Sequence, residues 1–375
     1  MTSALKTEYL TINMGPQHPS THGVIRFILK TDGEIIYECD PDVGYLHRGI
    51  EKIAESVTWQ GFVPYTDRVD YVCAMNSNLS YCMAVEKLMG METEIPKRAE
   101  YIRVIVSELN RISSHAVAIG AADMDMGAFT PFVHFLRERE HINDLLEMAC
   151  GARLTYNYIC IGGVHNDLPP AFLSKTAEFL DHFEIVVEQI NRLISYNQIF
   201  IKRFANVAVV PPKMAIDYNL VGPNLRGSGI KFDVRKDKPY SVYSDLDFDI
   251  PIGSGRAGTL GDCYDRYMVR VEEIRESIKI IRQCLKQIPA GETKAIVKST
   301  IKPPKGHVYF RTETPRGDTG YFLYSDGKTS PTRLKIRTGS FTGMSIIPEI
   351  ARGVFIADLV AIIGSLDIVA PELDR

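Results

Sequence analysis

Four short stretches carry side chains suited to proton chemistry. Gly15–Gly23 reads GPQHPSTHG, with His18 and His22 set among two prolines and two glycines. Pro16 and Pro19 fix φ while Gly15 and Gly23 permit positive φ, so the loop is stiff. A stiff loop fixes the position and angle of an imidazole, which suits binding of a small polar head group. The alternative is a turn whose histidines bond only their own loop. Arg68-Val69-Asp70-Tyr71 places a cation, an acid and a phenol just before a helix, the phenol serving either a ligand or the core. Asp123 and Asp125 close a long helical run, where the helix dipole disfavours carboxylates, and a histidine partner would account for them. His47-Arg48 is either a solvated helix start or an arginine aimed at a neighbour's negative cofactor.

These residues need elements to hold them. Tyr9–Asn13 and Val24–Lys30 read as strands on either side of the stiff loop. Val24–Thr31 and Glu34–Cys39 flank Asp32-Gly33, a hairpin signal. Helical periodicity follows over Leu79–Met89, Lys97–Gly120, Phe132–Met148, Pro170 to about Phe200, and Asp262–Ile288, with Asp262 as a cap. In Lys97–Gly120, Ile102, Ile105, Val106, Leu109 and Ile112 form one apolar face, and Arg103, Glu108 and Arg111 fall elsewhere. His307–Arg311, Gly320–Tyr324 and Arg333–Arg337 return to strand, separated by Pro-Arg-Gly-Asp and Ser-Asp-Gly turns. Pro348–Gly364 reads as one more helix. The pattern predicts a single α+β domain over residues 1–375, with β-rich parts at 1–75 and 300–340 packed on a central long-helix bundle at 76–290.

Composition narrows the function. The 375 residues carry a net charge of −3, which argues against nucleic acid as a partner. The first eleven residues hold no apolar signal core, and no apolar run reaches the roughly 18–20 residues of a membrane span. The reading is a soluble, cytoplasmic chain that can sit against a membrane protein. None of the seven cysteines forms a Cys-x-x-Cys pair, which predicts reduced thiols and neither zinc nor an iron–sulfur cluster in this chain. Gly253–Gly258 matches G-x-G-x-x-G in letters only. Pro251 spoils the strand before it, the helix starts after Gly261, and no second strand follows, so a flexible surface loop is expected.

Several segments together resemble one family. Gly15–Arg26 (GPQHPSTHGVIR), Gly44–Lys52 (GYLHRGIEK), Ala84–Leu88 (AVEKL), Thr130-Pro131, Arg137–Glu140 (RERE), Gly162–Val164 with Asp167–Pro169, Gly261–Tyr267 (GDCYDRY), Val271–Glu273 and Lys335–Thr338 (KIRT) look like the 49 kDa subunit of respiratory complex I, also called its D subunit. The likeness runs from about Tyr9 to Arg375 in the same order. The chain starts at the family's N-terminal strand, unlike the fused C–D form.

The resemblance implies a component of the proton-translocating NADH:quinone oxidoreductase, peripheral on the cytoplasmic side of a bacterial cell membrane. It implies quinone as substrate and no metal, flavin or NAD bound by this chain. The implied partners are the B subunit with the terminal iron–sulfur cluster, the C and I subunits, and the membrane-embedded H subunit. The family is similar in fold to the nickel–iron hydrogenase large subunit, which needs four cysteines in R-x-C-G-x-C and D-P-C-x-x-C motifs. Here these fall on Arg68–Cys73 and Asp367–Glu372, and only Cys73 remains, so the thiolate site cannot form. The emptied cavity is where the family binds the quinone head group. The resemblance puts His22 and Tyr71 on the head group, Asp125 on His22, and Arg48 beside the cluster of the B subunit. One departure is Thr155, where many members carry a histidine near the cluster. Competing readings are the catalytic chain of a hydrogenase, a pure scaffold, and the same subunit fed by ferredoxin or a reduced deazaflavin.

Overall fold

The computed structural model describes residues 9–16 and 23–375. Strands β1 (Leu10–Met14), β2 (Arg26–Asp32) and β3 (Ile35–Asp42) form an antiparallel sheet in that order. Alternation decides its faces: Phe27, Leu29 and Ile36 are wholly buried, while Leu10 and Tyr37 are exposed. Gly33, with φ +60°, closes the β2–β3 hairpin as the Asp-Gly pair predicts.

Five long helices follow. They are α1 (Ala74–Met89), α2 (Lys97–Asp125), α3 (Phe129–Cys150), α4 (Phe172–Ile190) and α5 (Cys263–Gln287). Asp262 caps α5, its carboxylate accepting from the Asp265 N–H at 2.9 Å. A C-terminal antiparallel sheet, β4 (Gly306–Thr314), β5 (Gly317–Ser325) and β6 (Arg333–Arg337), packs its first two strands on α1. Helix α6 (Ile356–Leu366) and the short α7 (Ala370–Asp374) end the chain. The expected α+β class stands, with small sheets from both ends of the chain around the long helices.

Helix α2 is the axis, packed against α1, α3, α5 and α6. Because neighbours surround it, the charges expected off its apolar face, Arg103, Glu108 and Arg111, are buried too, as is His115, all 2% exposed or less. The three charged side chains each meet an opposite charge, and His115, whose pKa burial pulls down, meets a carboxylate. Arg103 forks onto Glu86 of α1 (Nη1–Oε2 3.0 Å) and donates to the Gly163 and Cys160 carbonyls. Glu108 accepts from Arg111 and Arg235, and His115 Nε2 lies 2.9 Å from Glu273 Oε2 on α5. Ion pairs this deep fix register more than they add stability, because desolvation offsets most of the attraction.

Three expectations need correction. The helix from Pro170 does not run on to Phe200: α4 ends at Ile190, a wider π-helical turn spans Asn191–Ser195, and a separate helix spans Gln198–Phe204. Asn197 is extended there and accepts from the Ile199 N–H, capping a new start. The helix expected over Pro348–Gly364 is split into Ile347–Ile350 and α6. Gly353 takes φ +77° between them, and residues 353–356 bond back to β3 through Gly353 N–H to Ile36 O at 2.8 Å and Ile36 N–H to Val354 O at 2.9 Å. An edge strand that needs partners has won over helical propensity. Lastly, Gly253–Gly258 is no flexible loop. Asp265 accepts from the N–H groups of Ser254, Gly255 and Gly261, and a Cβ at Gly253 would overlap the Gly227 carbonyl. Its glycines serve close packing.

Candidate functional site

The last turns of α2 form one wall of a cavity of about 160 Å³. Val117, Ala118, Ala121, Met124 and Asp125 line it, a spacing that keeps one helix face turned inward. The small side chains leave the space, and Asp125 brings a carboxyl to its edge. Phe132 of α3 and Val72, Ile368 and Val369 add apolar wall. Asp123, two residues back, faces elsewhere. It is wholly buried, and burial pushes its carboxyl well above the usual range, against the opposing pull of the Tyr267 hydroxyl. The two acids that the sequence pairs therefore have different fates, and Asp123 is a neutral core group.

Tyr71 stands at the opening of the same cavity. Asp70 accepts from the Val72 N–H at 3.2 Å and so caps the 3₁₀ turn Tyr71–Cys73. That cap leaves Tyr71 40% exposed, so it is not a core tyrosine.

The closed end is charged. Arg316 sits in the β4–β5 turn, where the Thr314 hydroxyl donates to the Gly317 carbonyl at 2.9 Å. Gly317 takes φ +110° against the backbone of Gly222, and a Cβ at Gly339 would overlap the Arg316 carbonyl. This tight backbone packing aims the guanidinium at the cavity. Its Nη1 donates to Asp70 Oδ2 at 2.6 Å, and its Nη2 to Asp367 Oδ1 at 3.3 Å. Asp367 ends α6 in the left-handed region (φ +53°), which aspartate tolerates. Cys73 is buried beside them, which raises its thiol. A guanidinium thus lies between two carboxylates, Asp70 and Asp367. Among the described residues no group of His, Cys, Asp and Glu is arranged to hold a metal ion.

His22 lies outside the described residues. The loop that carries it ends at Gly23, whose φ is +132° and where a Cβ would come within 2.7 Å of Ala370 Cβ. That end therefore rests against Ala370, the residue after the cavity-lining Val369.

Arg48 is not in the cavity. Its Nη1 donates to the Arg68 carbonyl at 2.7 Å and its Nη2 to the Pro371 carbonyl at 2.9 Å. Residues 68–72 and 367–371 thus carry cavity groups on one side and hold Arg48 on the other, where it lines a shallow depression with Ile50, Ile53, Pro64 and Tyr65. A larger cleft of about 510 Å³ is lined by Glu86 and Arg103, but those charges already satisfy each other.

Sequence reasoning missed Arg316 and Asp367 as cavity residues. Pro-Arg-Gly-Asp reads as a solvent turn, and nothing local signals that its arginine points inward. The aspartate was visible only as a former cysteine-motif position.

Comparison with known proteins gives the class first. Residues 125–300 and 293–375 match the family model described as "Respiratory-chain NADH dehydrogenase, 49 Kd subunit". Among relatives, NADH-quinone oxidoreductase D subunit 1 of Anaeromyxobacter sp. is 56% identical over 370 residues, 99% of this chain and 97% of the relative. The D subunit 2 of Sorangium cellulosum is 56% identical over 98% of this chain and 94% of its own length. The D subunit of Chlorobium luteolum is 50% identical over 99% and 94%. The chain belongs to the 49 kDa family, the D subunits of NADH-quinone oxidoreductase, and is a component of that oxidoreductase complex. No helix of the described residues is long and apolar enough to cross a membrane.

Proposed function

We propose that this chain, acting as one domain over residues 1–375, helps form the site where quinone is reduced, coupled to proton translocation. The observation that carries this is one small, mostly apolar cavity with a phenol at its mouth and a carboxyl at its edge, Tyr71 and Asp125. An apolar wall suits a flat ring, and the few polar groups fix its carbonyls. Reduction takes two electrons and two protons. Tyr71 donates a hydrogen bond to one carbonyl oxygen, stabilising the charge that develops there, and then its proton. His22 serves the other carbonyl, with Asp125 orienting the imidazole and stabilising its cation. Arg48 faces the B subunit, whose terminal iron–sulfur cluster supplies the electrons. The C and I subunits and the membrane-embedded H subunit complete the surroundings, on the cytoplasmic side of the membrane. The chain itself holds no flavin, NAD or metal in this reading. The relatives' names give NADH as the donor, which favours NADH over ferredoxin or a reduced deazaflavin.

The test is a photoreactive quinone analogue on the assembled complex. Labelling of peptides around Tyr71, Met124–Phe132 or Ile368-Val369, competed by quinone, is expected. Labelling confined to other subunits would leave this chain a scaffold.

A further inference from the structure

The short strands Ile159–Cys160 and Gly163–Val164 pair antiparallel, and the strip of residues 293–297 lies along the second of them. The Val164 N–H donates to the Thr293 carbonyl at 3.0 Å, and the Ala295 N–H to the Gly162 carbonyl at 2.8 Å. Glycines allow the approach: a Cβ at Gly163 would overlap the Thr293 carbonyl, and one at Gly162 would overlap Val297 Cγ2. Gln60 holds the far end, its Nε2 donating to the Lys298 and Ser299 carbonyls at 3.0 and 3.1 Å. Exposure alternates along the strip as it does along a strand. Thr293, Ala295 and Val297 are half-buried, while Lys294, Ile296 and Lys298 are exposed, Ile296 wholly so. The outer edge is open. The register turns the N–H and C=O of Lys294 away from Gly163, and neither these nor those of Ile296 have a partner among the described residues. The strip is also positive. Residues 289–305 hold Lys294, Lys298, Lys302 and Lys305 against one acid, Glu292, in a chain whose net charge is −3. None of the four lysines meets a carboxylate among the described residues, and Lys294 and Lys298 line a cavity of about 330 Å³ to which no carboxylate contributes.

We infer that residues 293–297 receive a β-strand from another subunit of the oxidoreductase complex, one carrying acidic, apolar and acidic side chains at alternate positions. The inference goes beyond the quinone-site reading and does not rest on it. An unpaired edge offers main-chain donors and acceptors to an added strand, and the side chains along it set which strand fits. Carboxylates opposite Lys294 and Lys298 are attracted, and an apolar side chain opposite Ile296 takes the isoleucine out of water. The same charges exclude a second copy of this chain. Antiparallel self-pairing centred on Ile296 sets Lys294 of one copy against Lys298 of the other, and like charges directly opposite destabilise a ladder. Lysines also guard an edge that has no partner, but that use gives no reason for an isoleucine wholly in solvent between them.

Two measurements on the purified, assembled complex test this. In hydrogen–deuterium exchange, the Lys294 and Ile296 amides should exchange as slowly as the Ala295 amide, which is bonded within the chain. A photoreactive p-benzoylphenylalanine introduced at Ile296 should cross-link to one segment of another subunit, with acidic residues two positions to either side of the attachment point. Lys294→Glu combined with Lys298→Glu should lose both the cross-link and the slow exchange at Ile296, while the Ala295 amide stays slow. Reversing the acids of the captured segment should restore both. Fast exchange at Lys294 and Ile296 beside a slow Ala295 overturns the added strand. The absence of a cross-link, or one only to lipid, to a second copy, within this chain or to a segment without acids, overturns the partner. Should the double variant fail to assemble, the wild-type exchange and the Ile296 cross-link decide alone.

Discussion

Arg316 Nη1 donates to Asp70 Oδ2 at 2.6 Å across 246 residues of chain. The bond ties the 3₁₀ turn of Tyr71 to the C-terminal hairpin and closes one end of the cavity. Arg316→Met keeps much of the bulk and strands Asp70 and Asp367 without their cation, so a loss of about 3–5 kcal/mol is expected. The loss should shrink at low pH, where Asp70 is protonated and needs no cation. Thermal denaturation of the complex over a pH series measures this, and equal stability of variant and wild type at its alkaline end would remove the bond from the argument.

Tyr71→Phe should lower NADH:quinone turnover by about a hundredfold, the usual scale for a lost proton donor. Volume barely changes and Tyr71 is exposed, so assembly should be normal. Reduction of an artificial acceptor upstream of quinone is the control. Wild-type quinone turnover in an assembled variant would exclude the phenol from the chemistry.

His22 and Asp125 should act as one unit. Asp125→Asn keeps shape and tests charge. Removing either should lose much of the same quinone activity, and the double variant should be little worse than the worse single, since contacting residues are not additive. Turnover of both singles and the double gives the answer. Effects that simply multiply would separate the two.

Asp67 offers a stability test with a definite sign. Burial raises its carboxyl to about 7, more than the Asn78 and Asn157 bonds lower it. Its folded value lies above the unfolded value of about 3.9, so its contribution is full below pH 4 and is lost as pH rises towards 7. Asp67→Asn, which keeps an acceptor for the Asn157 N–H, should therefore stabilise the complex at pH 8 more than at pH 4.5. A melting-temperature gain that is the same at both pH values would show that Asp67 is not held protonated.

The class of fold, the long helices, both terminal sheets and the family were all legible in the chain of residues. Those rest on local period, caps and turn chemistry, and on motifs kept in order, as with Asp262 capping α5 and Gly33 closing the first hairpin. Tyr71 and Asp125 were also singled out there. It took the folded molecule to show that they line one cavity, that Asp123 does not, and that Arg103, Glu108 and Arg111 are buried. Local sequence tells which face of a helix is apolar, but not how many neighbours surround it. Nor does it reveal that a turn arginine points inward. That depends on glycine contacts at Gly222, Gly317 and Gly339 and on carboxylates from both ends of the chain, and burial there reverses the ordinary preference of charge for water.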